Sequence, residues 1–182
     1  MKRLIISTVL AGMALTAPSA TAKAQDFNPF EIGGALGAAV PLGDLADFTD
    51  MGYNATFFVG YNPVFLPVGL RFEAAYNEFG LDDEFGDGNV NIPSFTANAI
   101  FKLPTGGFTP YLIGGAGLYR PGGEDAFGEF DSENRFGWNI GGGISMPLSG
   151  FKVFVEARFN NVSGGDGRDD WSFVPIVFGA SF

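Results

Sequence analysis

Apolar residues recur at every second position along most of this chain. A two-residue period is the signature of a strand whose two faces differ. Eight segments show it. Phe30, Ile32, Leu36, Ala38 and Val40 share one face of a first strand at 30–40, and Tyr53, Ala55, Phe57, Val59 and Tyr61 align along a second at 53–61. Val68, Leu70, Phe72, Ala74 and Tyr76 align at 68–76, and Phe95, Ala97, Ala99, Phe101 and Leu103 at 95–103. A fifth strand, 108–118, is glycine-rich, and the pattern leaves its facing open. Phe136, Trp138, Ile140, Ile144 and Met146 mark a sixth at 136–146, and Phe151, Val153, Val155, Ala157 and Phe159 a seventh at 151–159. The eighth carries Val174, Ile176, Phe178, Ala180 and Phe182 on one face, up to the last residue. Strands of about 9–11 residues have the length that crosses a bilayer when tilted.

The connections alternate in length. Short ones at 62–67, 104–107 and 147–150 carry proline, glycine and other turn formers. Longer polar ones fall at 41–52, 77–93, 120–135 and 160–170. In an up-and-down meander this puts all short turns and both ends of the barrel at one rim, and all long loops at the other. Outer-membrane barrels have that asymmetry, with short periplasmic turns and long external loops.

The second face of these strands separates a membrane barrel from a soluble one. A soluble exterior carries about 25–35% charged residues. The eight segments hold only Glu31, Arg71, Glu73, Lys102, Lys152, Glu156 and Arg158, among small or neutral neighbours such as Gly33, Ala35, Gly37, Asn54, Thr56, Thr96, Asn98, Asn139, Gly141, Gly143 and Ser145. That set suits a cramped interior, and the greasy face suits acyl chains. Arg71, Glu73, Lys102, Lys152, Glu156 and Arg158 are then expected to form a lumen charge network, because an unpaired charge there is costly. If the 147–150 turn pairs Met146 with Phe151, Gly143 lies opposite Phe154 and Gly141 opposite Glu156, glycine making room for bulk. Tyr61, Phe101, Phe108, Phe151 and Phe182 fall near the short-turn rim, and Tyr53, Tyr76, Trp138 and Phe159 near the long-loop rim. Two such rings match the headgroup levels of a bilayer.

The chain begins with Lys2 and Arg3, continues with an apolar run at 4–15, and reaches Ala22-Lys23-Ala24 after Pro18. This predicts a signal peptide over 1–24, cleaved before Gln25, and a barrel domain over 25–182. The run is shorter than the roughly 20 residues of a spanning helix. The full chain has 10 basic and 20 acidic residues, so nucleic acid is not an expected partner. It has no cysteine and no histidine, which removes thiolate chemistry and the commonest general base. The expected fold is all-β: an eight-stranded antiparallel up-and-down transmembrane barrel.

The signal sequence, eight alternating strands, glycine-rich "PYLIGGAGLY" (110–119) and terminal aromatic resemble small outer-membrane barrels of the OmpA transmembrane-domain and OmpX type. The resemblance covers nearly all of 25–182 as architecture, not as a catalytic motif. It implies outer-membrane lipids as surroundings. It also implies that Val174, Ile176, Phe178 and Phe182 are read by the barrel assembly machinery. No peptidoglycan-binding sequence follows the last strand, so cell-wall tethering is not expected. The deacylases and omptins among small barrels depend on histidine, and Glu73 and Glu156 are the only carboxylates in the wall available to a glycosidase-like pair. No enzyme activity and no cofactor are expected.

Sixteen of the 20 acids fall in the long loops. They solvate the loop ends, or they capture a cation or a basic extracellular partner. "LDDEFGDGN" (81–89) and "GGDGRDD" (164–170) bring Asp82, Asp83, Glu84 and Asp87, and Asp166, Asp169 and Asp170, close to glycines, as calcium loops do; neither has EF-hand spacing. Phe79, Phe85, Phe127 and Phe130 punctuate these loops, as adhesive contacts or as pins to the rim. Three roles follow: a monomeric scaffold with a structural or surface-interaction role, a narrow ion channel or small-ligand carrier, and a soluble periplasmic ligand-binding barrel.

Overall fold

A computed structural model describes residues 29–182 apart from 64, 83–87, 104, 106, 126–127, 130–132 and 165–168. Segment 1–24, expected from the sequence to be a signal peptide, lies outside them. Alternating residues form β1 (Phe30–Leu42), β2 (Gly52–Tyr61), β3 (Val68–Gly80), β4 (Asn89–Lys102), β5 (Thr109–Tyr119), β8 (Arg135–Pro147), β9 (Lys152–Val162) and β10 (Trp171–Ser181). Two short strands, β6 (Gly122–Asp125) and β7 (Gly128–Glu129), lie between β5 and β8. Each long strand pairs antiparallel with its neighbours, and β1 pairs with β10 while β3 pairs with β4. The eight long strands therefore close into a barrel without a free edge. At the seam, Ile32 and Phe182 exchange backbone bonds of 3.1 and 2.9 Å.

Alternation fixes what faces where. In β2, Tyr53, Phe57, Val59 and Tyr61 are exposed while Asn54, Thr56 and Phe58 are buried. The open question of β5 is settled: Tyr111, Ile113 and Tyr119 point inward, and Leu112 and Leu118 outward. Exposed rings such as Phe57, Phe72, Phe95, Phe136 and Phe178 cover the outer wall. An apolar surface this extensive does not face water on a soluble protein.

The pattern inverts near the long-loop rim. On β4, Phe95 faces out and Ser94 in, whereas two steps higher Val90 and Ile92 are buried and Asn89 and Asn91 face out. Phe79 on β3 and Phe173 on β10 also turn inward, their rings 5.6 Å apart. Above this level the barrel is apolar inside and polar outside, as a wall with water on its outer face and a packed core within requires. Loop 43–51 closes the mouth. Gly43, at φ +57°, starts a short 3-10 turn (Gly43–Leu45) that drops Leu45 into the apolar cluster with Phe79, Val90, Ile92 and Phe173. Asp50 N donates to Gly80 O and Asp82 N to Phe48 O, at 2.9 and 3.1 Å, tying this loop to the tip of β3.

Two expectations are corrected. Phe79, read as a loop aromatic, is a fully buried lumen residue. The β8–β9 register is shifted by two: Met146 pairs with Val153, not Phe151, Gly143 with Glu156, not Phe154, and Gly141 with Arg158, not Glu156. The turn is the cause. Leu148 N donates to Phe151 O at 2.8 Å, which leaves Ser149 and Gly150 to reverse the chain, and Gly150 does so at φ +90°. A shift of two keeps every side chain on its face.

Candidate functional site

The barrel's interior is where its polar side chains converge. Arg71 and Glu73 project from β3, and Glu156 and Arg158 from β9, all four nearly fully buried. β3 and β9 are four strands apart either way around the barrel, so the quartet spans its diameter. Arg71 Nη1 lies 2.9 Å from Glu156 Oε2 and 3.3 Å from Glu73 Oε1. Arg158 Nε lies 2.9 Å from Glu156 Oε1, and its Nη1 bonds Glu73 Oε2. Two charges of each sign cancel. Tyr111 OH donates to Glu156 Oε2 at 2.6 Å and Asn98 Nδ2 to Glu73 Oε2 at 3.0 Å, supplying the extra bonds that buried ion pairs need.

Rings pack below and above this layer. Phe58 and Phe154 meet edge to face at 5.7 Å, with the Arg71 guanidinium 4.3 Å above the Phe58 centroid. These rings enter because glycines face them: a Cβ on Gly33 would overlap Phe58, and one on Gly179 would overlap Phe154. Tyr111 and Tyr119 lie over Gly143 and Gly137 in the same way. Toward the long loops Asn54 Nδ2 bonds Asn77 Oδ1 at 2.7 Å, and Tyr119 OH donates to Asn160 Oδ1 at 3.0 Å. The Leu45–Phe79–Phe173 cluster then covers the mouth.

At the short-turn end the remaining interior charges gather around Glu31. Its Oε2 lies 2.8 Å from Lys152 Nζ and 4.0 Å from Lys102 Nζ, and accepts from Asn62 Nδ2 at 2.8 Å. Its Oε1 accepts from Ser181 Oγ at 2.6 Å. Lys102 and Lys152 therefore stand apart from the four-charge layer.

This barrel, plugged inside and greasy outside, has known counterparts. The profile of the family described as "Outer membrane protein beta-barrel domain" matches residues 7–182. The chain belongs to that family. Neisserial surface protein A superposes with a TM-score of 0.67 at 17% identity, over 85% of this chain and 96% of that one. A major outer membrane protein from Thermus thermophilus gives 0.51 at 14% identity, over 85% and 99%. At such identities the likeness is one of fold. No curated protein matched by sequence.

As a family member the protein lies in the bacterial outer membrane, and its exposed apolar wall meets lipid, which overturns the soluble-barrel alternative. Aromatic pairs ring both rims: Phe30 with Tyr61 and Phe151 with Phe182 at the short turns, Tyr53 with Tyr76 and Trp138 with Phe159 near the long loops. The Tyr53 and Tyr76 hydroxyls both donate to Glu78 Oε2 at 2.9 Å, just above the lipid-facing band. Val174 is half-buried, and Ile176, Phe178 and Phe182 stand exposed on the outer face of the last strand.

Asp83, Glu84, Asp87 and Asp166, with Phe85, Phe127 and Phe130, lie outside the described residues. Asp82 is half-buried and Asp169 and Asp170 are exposed, with Asp170 Oδ1 accepting from Gly164 N at 2.9 Å. No group of three or more potential metal ligands occurs among the described residues. The interior residues the pattern left unassigned are Phe58, Tyr111, Tyr119, Asn62 and Ser181. The Phe57-Phe58 doublet was the available signal, since adjacent rings on a strand must face opposite ways.

Proposed function

We propose that this protein is a monomeric, rigid outer-membrane scaffold with a structural or surface-interaction role, displaying its acidic loops outside the cell. The observation that carries the reading is the filled interior. Ion pairs span the full diameter at one level, and apolar rings pack across it on either side. Eight strands enclose little more than their own side chains. Such a lumen is poorly suited to a diffusion pore, and Glu73 and Glu156, each held by two arginines, are poorly suited to proton transfer. Function then falls to the outer loops, where Asp44, Asp47, Asp50, Glu133, Asp169 and Asp170 are exposed. A basic surface on an extracellular partner is the matching chemistry. Residues 1–24 direct export and are then cleaved off, and assembly reads Val174, Ile176, Phe178 and Phe182.

Protease shaving of intact cells, followed by membrane fractionation, tests this reading. Cuts confined to 43–51, 81–88, 120–134 and 163–170 in an outer-membrane protein are expected. Cuts at 62–67 or 148–151 in intact cells would overturn it.

A further inference from the structure

The sequence has four lysines, and after residue 24 only Lys102 and Lys152 remain. They come from β4 and β9, yet both ammonium groups approach the same oxygen of Glu31. One carboxylate thus faces two cations. The arginine–glutamate layer above is neutral and offers no compensation. Both lysine side chains keep about a third of their surface exposed, at 33% and 37%. Lys102 Nζ donates one hydrogen bond to Asn62 Oδ1 at 2.6 Å. An ammonium has three donors, so each lysine has donors to spare. The two line one small cavity at the short-turn mouth together with Arg71 and Ser145. Arg71 is 6% exposed, and its Nε is the one buried side-chain nitrogen without a partner among the described residues.

From this we infer that the short-turn vestibule is a binding site for a small oxyanion, a phosphate group, held between Lys102 and Lys152 and completed by donors lining the same cavity. A net positive pocket with unfilled donors, in a protein of formal net charge −10, is complementary to an anion and to little else. Lysine ammonium groups serve as compact point charges for phosphate. The phosphate comes from free solute or from the headgroup of a lipid in the adjoining leaflet. The chemistry is the same for both.

The protein, folded in dodecyl maltoside micelles, is titrated calorimetrically with inorganic phosphate at low ionic strength, a measurement independent of its orientation in cells. Saturable one-to-one binding is expected. Lys102→Gln and Lys152→Gln, each checked for heat-modifiable gel mobility, lose about tenfold in affinity per charge-assisted bond removed. Glu31→Gln removes the competing carboxylate and binds phosphate more tightly than the parent, an outcome that a purely structural ion pair would not give. Absence of saturable binding, or unchanged binding in both lysine variants, overturns the site. In phosphatidylcholine vesicles, undiminished binding identifies free phosphate as the ligand, and loss of binding with the micelle response intact identifies the headgroup.

Discussion

Arg71 and Glu156 are 85 residues apart in sequence and meet across the barrel, Nη1 to Oε2, at 2.9 Å. Nothing local brings them together; closure of the barrel does. Their contact therefore reports on the completed fold, and the four charges around it behave as one unit.

Removing a single member leaves an uncompensated buried charge, which costs about 3–5 kcal/mol. Glu156→Gln strands two guanidinium groups on Glu73. Adding Arg71→Gln restores one charge of each sign. The double variant is expected to be more stable than the sum of the two single losses allows. Urea unfolding in lipid vesicles measures this, and simple additivity would show that the four charges act independently.

Glycine substitutions divide by what a methyl group would meet. At Gly33 it would collide with the Phe58 ring and lie 2.7 Å from the Ala180 carbonyl oxygen. Gly33→Ala is expected to cost about 1–3 kcal/mol through overpacking. At Gly80 nothing lies within 4 Å, and Gly80→Ala is expected to change stability by no more than about 0.5 kcal/mol. Equal effects in urea unfolding would remove the claim that lumen glycines make room for rings.

The barrel was legible in the sequence because lipid enforces a strict two-residue alternation over each strand. The strand tops were not. At Asn89, Val90, Asn91 and Ile92 the alternation continues with its phase reversed, so 77–93 reads as a polar loop where β3 and β4 still pair. The β8–β9 register depended on the positive φ of Gly150, a backbone property that side-chain pattern does not encode. Arg71, Glu73, Glu156 and Arg158 share a face by parity alone. Which of them meet is set by barrel diameter and strand stagger, and these emerge only on closure. Glu31 was visible as an inward charge, but its partners Asn62 and Ser181 stood in a short connection and at the chain end.

The reversal of phase on β4 marks where lipid gives way to water. Phe57 lies midway along β2 between the Tyr53 and Tyr61 rings, and Asn91 faces outward above the reversal. Phe57→Lys is expected to cost about 2–4 kcal/mol, the range for a cation on the lipid face at mid-bilayer. Asn91→Lys is expected to stay within about 0.5 kcal/mol of the parent. Unfolding in vesicles measures both, and a comparable penalty at Asn91 would move the boundary.

Phe182 separates packing from signalling. Its ring is 66% exposed and touches Phe151 at a centroid distance of 5.9 Å, so truncation removes little buried area. Its backbone bonds with Ile32 are independent of the side chain. Phe182→Ala is therefore expected to fold in detergent with stability within about 1 kcal/mol of the parent, since a single exposed aromatic contact contributes about 0.5–1.5 kcal/mol. If the terminal aromatic is read by the assembly machinery, the same variant accumulates less in the outer membrane of cells, and Phe182→Tyr restores the yield. Phe151→Ala removes the other half of the ring pair and serves as the control. A yield that falls equally in Phe151→Ala and Phe182→Ala would assign the effect to packing at the rim and remove the assembly role.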